Sequence, residues 1–201
     1  DEETQSCGPN GDNIFALNMG LGAEHQAQLI NKVRKEIAEG TKGHVNVGFI
    51  GAKYFFEALA RHGMNDLAYE AMNKTDFPSY GHWIAQGATT TWEQWDGGNS
   101  RNHPMMGSGL TWFSRNLAGV QYDESQPGYR HVIIRPQVPE QMEFVSYSKQ
   151  TPYGKVSSEL RRKNGQTTVT VTIPVSCTAT LVLPIGTKEL GQGTYKFIYA
   201  E

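Results

Sequence analysis

The hydrophobic pattern changes period near position 120. Before it, apolar residues return every three to four positions, and after it they alternate. A chain written this way predicts a helical half followed by a strand half, each with its own buried face.

Six helices are expected. Ile14, Leu17 and Leu21 share one face of the first. In 23–39, Ala27, Leu29, Ile30, Val33 and Ile37 oppose Lys32, Arg34, Lys35 and Glu36, with Gly40 as the stop. A third runs over 50–62, with Tyr54, Phe55, Ala58 and Leu59 inward. The fourth covers 65–73 with Asn65 as N-cap. The fifth covers 79–86, after Pro78, and the sixth 105–118. Short pairs joined by glycine-containing links suit bundles, solenoids or toroids. The absence of a visible internal repeat counts against arrays of the TPR or ankyrin kind.

Six strands are expected downstream: 131–135, 143–148, 154–161, 167–173, 179–183 and 195–199. Asn164-Gly165 is the strongest hairpin signal, and the run Arg161-Arg162-Lys163 before it reads as a solvated tip. Strands at this spacing predict an antiparallel β-sandwich. The division falls as 1–119 and 120–201.

Composition removes several functions. A net charge of −2 and a pI near 6.3 lack the basic footprint of nucleic-acid binding. No apolar run reaches the length of a membrane span. The two cysteines, Cys7 and Cys177, make neither a disulfide framework nor a zinc site by themselves. G-x-G-x-x-G, P-loop, H-E-x-x-H and G-x-S-x-G patterns are absent. No cofactor and no metal are expected.

The chemistry concentrates in 80–112, a glycine-rich stretch with Trp83, Trp92, Trp95, Trp112, His82 and His103. Within Trp92-Glu93-Gln94-Trp95-Asp96, an acid lies between indoles. Indole faces suit the apolar C–H faces of sugar rings. A carboxylate beside them can activate water or attack an anomeric carbon. A core tryptophan pair beside a surface acid accounts for the local pattern equally. His103 can bond a sugar hydroxyl, bind metal or transfer protons, or it can be a structural donor. His82 reads as structural.

These residues resemble the C-terminal part of a family 78 α-L-rhamnosidase. The match runs through Gly87-Ala88-Thr89-Thr90-Thr91-Trp92-Glu93-Gln94-Trp95-Asp96, then Asn102-His103 and Met106-Gly107-Ser108. It extends to Gly48-Phe49-Ile50-Gly51, Tyr54-Phe55-Phe56-Glu57-Ala58-Leu59, Gly63, Asp66-Leu67-Ala68-Tyr69, Pro127-Gly128-Tyr129-Arg130 and Ile134-Arg135-Pro136.

The resemblance implies a partial (α/α)6 toroid followed by an antiparallel β-sandwich. It also implies inverting hydrolysis of terminal α-L-rhamnosyl linkages. By the match, Glu93 is the general base and His103 contacts the sugar. Trp92 and Trp95 wall the site or pack beneath it, and Asp96 orients the base or His103 or sits in a turn. The expected partner is a rhamnose-containing glycan or glycoside.

A full (α/α)6 barrel has about twelve helices, so a chain with six is expected to be a fragment without the general acid. It should be inactive alone and prone to self-association through uncovered helix faces. Glu57 and Asp96 are the nearby acids to check as replacements. The alternatives are another sugar specificity on the same scaffold, or a non-catalytic carbohydrate-binding or structural module built on the sandwich and its Tyr147, Tyr153, Tyr195 and Tyr199. Compartment stays open, with an extracellular or periplasmic setting compatible.

Overall fold

A computed structural model describes residues 11–200, and the chain divides into two compact units, one ending at Trp112 and the other starting at Phe113. Cys7 lies outside the described residues.

The first unit is helical: α1 (Gly11–Met19), α2 (Gln26–Lys35), α3 (Phe49–Arg61), α4 (Asn65–Asn73), α5 (Tyr80–Ala85) and α6 (Ser108–Trp112). A π-helical turn, Glu36–Gly40, extends α2, so Leu29, Val33 and Ile37 form one buried line. Leu21 falls outside α1 and is exposed, and Ala27 is exposed too.

Helix α3 buries Ala52, Phe55, Phe56, Ala58, Leu59 and Ala60, which cover most of its circumference. So broad an apolar face needs several neighbours, and α3 packs against α1, α4 and α6. It stops at Gly63, in the left-handed region at φ 70°, where the Met64 amide returns to the Leu59 carbonyl at 2.8 Å.

Asn65 is not the cap of α4. It is the first helical residue, Met64 holds the cap position, and Asn65 Oδ1 accepts the Trp112 indole N–H at 2.8 Å. A buried indole needs an acceptor, and that need outranks the local capping preference. Helix α5 is capped as its sequence suggests, Ser79 Oγ accepting the His82 amide at 2.9 Å.

The second unit opens with a π-helical turn, Phe113–Leu117, followed by eight strands. These are β1 (Val120–Tyr122), β2 (His131–Ile134), β3 (Phe144–Thr151), β4 (Gly154–Lys163), β5 (Gln166–Ile173), β6 (Thr178–Leu183), β7 (Gly186–Leu190) and β8 (Gly193–Ala200). They form two four-stranded sheets, ordered β1-β2-β6-β7 and β3-β4-β5-β8.

Each sheet buries alternate residues. Val132, Ile134, Ala179, Leu181 and Leu183 come from one, and Val145, Val156, Leu160, Val169, Val171 and Ile173 from the other. Two sheets that each bury one face make a sandwich. Two strands, β1 and β7, go beyond the six expected. The β2–β6 pair is parallel, Val132 lying opposite Ala179, so the antiparallel expectation holds for every other pairing. A strand period of two fixes which face is buried but carries no information about direction.

Asn164 (φ 53°) and Gly165 (φ 70°) form the two-residue β4–β5 hairpin. Both positive φ values match the turn that right-twisted strands favour. Arg162 is not a solvated tip residue. It donates to the carbonyls of Val138 at 2.9 Å and Met142 at 3.0 Å and also to that of Pro139, pinning the segment before β3. Its neighbour Arg161 lies over Phe144 and pairs with Glu159 at 2.8 Å. Gly119, at φ 75°, accepts the Arg135 amide at 2.9 Å. A Cβ there would stand 2.1 Å from the Arg135 carbonyl carbon, so only glycine fits.

Candidate active site

Residues 88–103 form neither helix nor strand. Side-chain and backbone bonds hold them instead. The two arms pair twice, the Glu93 amide donating to the Ser100 carbonyl and the His103 amide to the Thr91 carbonyl, each at 2.8 Å. Thr91 Oγ1 donates to the His103 carbonyl at 2.8 Å, and Thr90 Oγ1 donates to that of Arg101. Glu93 and His103 therefore occupy opposite arms of one closed loop.

The loop rests on aromatic rings. Trp83 and Trp95 stack with centroids 4.5 Å apart, and Trp92 lies 5.8 Å from Trp83. Tyr80 meets both Trp83 and Trp95 edge-on. The polar edges are committed: Trp83 Nε1 donates to the Trp95 carbonyl at 2.8 Å, Trp95 Nε1 to that of Val47 at 3.0 Å, and Tyr80 Oη to that of Met106 at 2.6 Å. Burial pushes the Tyr80 phenol pKa well up, so this hydroxyl stays a donor.

Trp92 and Trp95 are only 6% and 9% exposed, which leaves little indole face for a sugar to stack on. Of the two placements expected for them, the structure shows the one beneath the loop. Arg101 covers Trp92 at 4.6 Å. Gly97, at φ 82°, approaches it so closely that a Cβ would lie 2.9 Å from an indole carbon. That contact explains why glycine follows the Trp-Glu-Gln-Trp-Asp run.

Glu93 is half-buried. Its carboxylate accepts the Ser100 amide at 3.3 Å and the Asn99 side-chain N–H at 3.5 Å. Asp96 is exposed and accepts the Gly98 amide at 3.0 Å, an Asx turn, and bonds neither Glu93 nor His103. Its expected orienting role has no contact to act through. Glu57 pairs with Arg61 at 3.0 Å across one helical turn and is a plain helix residue.

His103 is half-buried, and its buried Nδ1 finds no protein partner among the described residues. Phe49, at the start of α3, lies against the imidazole with centroids 4.8 Å apart. In the sequence, Phe49 stands out only within the Gly48-Phe49-Ile50-Gly51 segment. A lone aromatic after glycine carries no periodic signal, so only the packing shows its tie to His103. Thr91 gives no stronger signal, because nothing in a threonine run tells which hydroxyl closes a loop.

Residues 4–117 match the bacterial alpha-L-rhamnosidase 6 hairpin glycosidase domain, and residues 119–197 match the bacterial alpha-L-rhamnosidase C-terminal domain. The chain belongs to the bacterial α-L-rhamnosidase family.

An alpha-L-rhamnosidase of Formosa agariphila is 32% identical over 85% of this chain. The structure of the Streptomyces avermitilis alpha-L-rhamnosidase complexed with L-rhamnose superposes with a TM-score of 0.83 at 25% identity, covering 94% of this chain and 21% of that one. The Dictyoglumus thermophilum alpha-L-rhamnosidase shares the fold, with a TM-score of 0.87 at 24% identity over 96% of this chain and 25% of that one. The chain spans about a fifth of the curated relatives it matches, 19% of the Formosa protein.

Proposed function

We propose that this chain is the base-carrying part of an inverting hydrolase of terminal α-L-rhamnosides, with residues 1–119 contributing to the helical barrel and 120–201 forming the sandwich. One observation supports this most. Glu93 and His103 lie on facing arms of a single braced loop, both half-buried. Glu93 takes a proton from water, and its amide donors fix the direction of the carboxylate. His103 offers its other ring nitrogen, Nε2, to a sugar hydroxyl, with Phe49 setting the ring plane. Trp92 and Trp95 support the loop from below, and Asp96 closes its turn.

Inversion needs a second carboxyl roughly 6.5–9.5 Å away to protonate the leaving oxygen. Glu57 is committed to Arg61, and the family resemblance assigns that acid to a part of the relatives that this chain does not span. Without it, and without the rest of the sugar site, the chain alone hydrolyses no rhamnoside.

The test uses an aryl α-L-rhamnoside with the full-length gene product, its Glu93→Gln variant and this chain by itself. Proton NMR should show β-L-rhamnose first, a fall of roughly 10²–10⁴ in kcat for the variant, and nothing from the isolated chain. The α anomer appearing first, or an active Glu93→Gln protein, would overturn the mechanism. Turnover by the isolated chain would overturn the division of labour.

Self-association is part of the same reading. Met19, Leu21 and Ile50 are each 55% exposed in the helical unit. Sedimentation velocity should show the isolated chain growing in mass with concentration. A monomer at every concentration would count against it.

A further inference from the structure

Two of the sandwich's edge strands, β1 and β3, each project an unusual side chain toward the space between the sheets. Tyr122 on β1 lies opposite buried Val132, and Lys149 on β3 lies opposite buried Val156, so both share the inward face of their partners. Tyr129 joins them. Its phenol accepts a hydrogen bond from Lys149 Nζ at 2.7 Å, and its ring meets Tyr122 edge-on at 6.1 Å. Arg115 lies 5.7 Å from the Tyr122 ring at the other end. The result is a continuous row: cation, tyrosine, tyrosine, cation.

Three properties of this row suggest a ligand. Tyr129 holds φ 67°, a left-handed conformation unfavourable for a bulky residue, and such strain gathers at working sites. Tyr122 is 39% exposed and offers ring surface to solvent. Neither Arg115 nor Lys149 has a carboxylate partner among the described residues. The Tyr129 hydrogen bond also holds the Lys149 pKa above its ordinary value, so the cation persists at neutral pH.

An inward lysine on an edge strand can serve simply to discourage strand addition. That purpose needs neither a strained tyrosine bonded to it nor a second unpaired cation at the far end.

We propose that Arg115, Tyr122, Tyr129 and Lys149 form a second carbohydrate subsite that takes an acidic oligosaccharide, the tyrosines meeting sugar C–H faces and the cations at the two ends meeting carboxylates of different units. The choice of a carbohydrate rests on the rhamnoside reading, while the requirement for negative charge rests on the row itself.

Calorimetric titration of the 201-residue chain with trigalacturonate and with its methyl ester tests this. The acid should bind about tenfold more tightly than the ester, and Lys149→Met and Arg115→Met should each remove the preference. Tyr122→Leu should weaken binding of both sugars, and it carries the test if the lysine variant does not fold. Absence of acid binding, a preference below about threefold, unchanged binding in the variants, or equal affinity for inorganic sulfate would overturn the proposal. Glu93→Gln should bind as the wild type does, so failure of the hydrolase mechanism and failure of this subsite give different results.

Discussion

The 88–103 loop and the β3-β4-β5-β8 sheet are held in different ways. Register repeats along the sheet: eight consecutive residue pairs join β3 to β4, and eight join β5 to β8. No single pair decides the outcome. The loop has two backbone bonds between its arms, two threonine hydroxyls that fasten it and one aromatic floor. These contacts gather at a few residues, Thr91 with His103 and Glu93 with Ser100 among them, and no ladder of further pairs stands beside them. The difference teaches where each kind of residue can be placed. A regular sheet tolerates substitution along its length, whereas an irregular loop concentrates both its function and its fragility in a few side chains.

The largest expected effect follows from the floor. Trp95→Ala removes a nearly buried indole that stacks on Trp83 and satisfies the Val47 carbonyl. It should cost about 3–5 kcal/mol in denaturant unfolding of the chain. Truncating a single exposed sheet residue such as Ser148 to alanine should stay within about 0.5 kcal/mol. If the two substitutions cost the same, the contrast between concentrated and distributed support fails.

The same contrast explains what could be read from the residues in advance. The helices and six of the strands followed from period, because Leu29, Val33 and Ile37 or Val169, Val171 and Ile173 state their buried face by spacing alone. Strand β1 is only three residues long and β7 buries only Leu190, so neither has enough alternation to see. The parallel β2–β6 pairing was hidden because direction leaves no mark on a pattern of period two.

At the candidate site, the Trp-Glu-Gln-Trp-Asp run and His103 identified the loop. Their arrangement within it did not follow. Trp95 faces down where its N–H meets the Val47 carbonyl, Trp92 lies against Trp83 under Arg101, and Asp96 turned to the Gly98 amide rather than to Glu93. These are tertiary choices among polar partners, and no local spacing encodes them.

A smaller effect, of opposite sign, probes the sheet. Ser158 is 1% exposed on β4, and its hydroxyl finds no protein partner among the described residues. Its neighbours along the strand on that face, Val156 and Leu160, are apolar and buried. A buried hydroxyl without a partner forfeits its hydration with nothing in return. Ser158→Ala should therefore raise unfolding stability by about 1 kcal/mol. A loss of similar size would mean that the hydroxyl supports the sheet, and that regular structure also depends on single polar groups.

The smallest effect concerns pH and belongs to the irregular segments. Asp76 lies between α4 and α5 and accepts a hydrogen bond from His44 Nε2 at 2.9 Å, while His44 Nδ1 faces the Thr41 carbonyl at 2.8 Å. The His44 hydrogen bond, with help from the Asp76 backbone amide, holds the Asp76 pKa below its ordinary 3.8. A carboxylate whose folded pKa is depressed adds stability that is present above the unfolded value and disappears as pH falls through the folded one. The stability difference between wild type and Asp76→Asn should thus be constant from pH 7 down to about 4 and vanish below that range. Because Asp76 is exposed, the difference should also shrink with added salt. An acid limb unchanged by the substitution would show that the 74–79 connection is held by packing, as the sheet is, and not by this hydrogen bond.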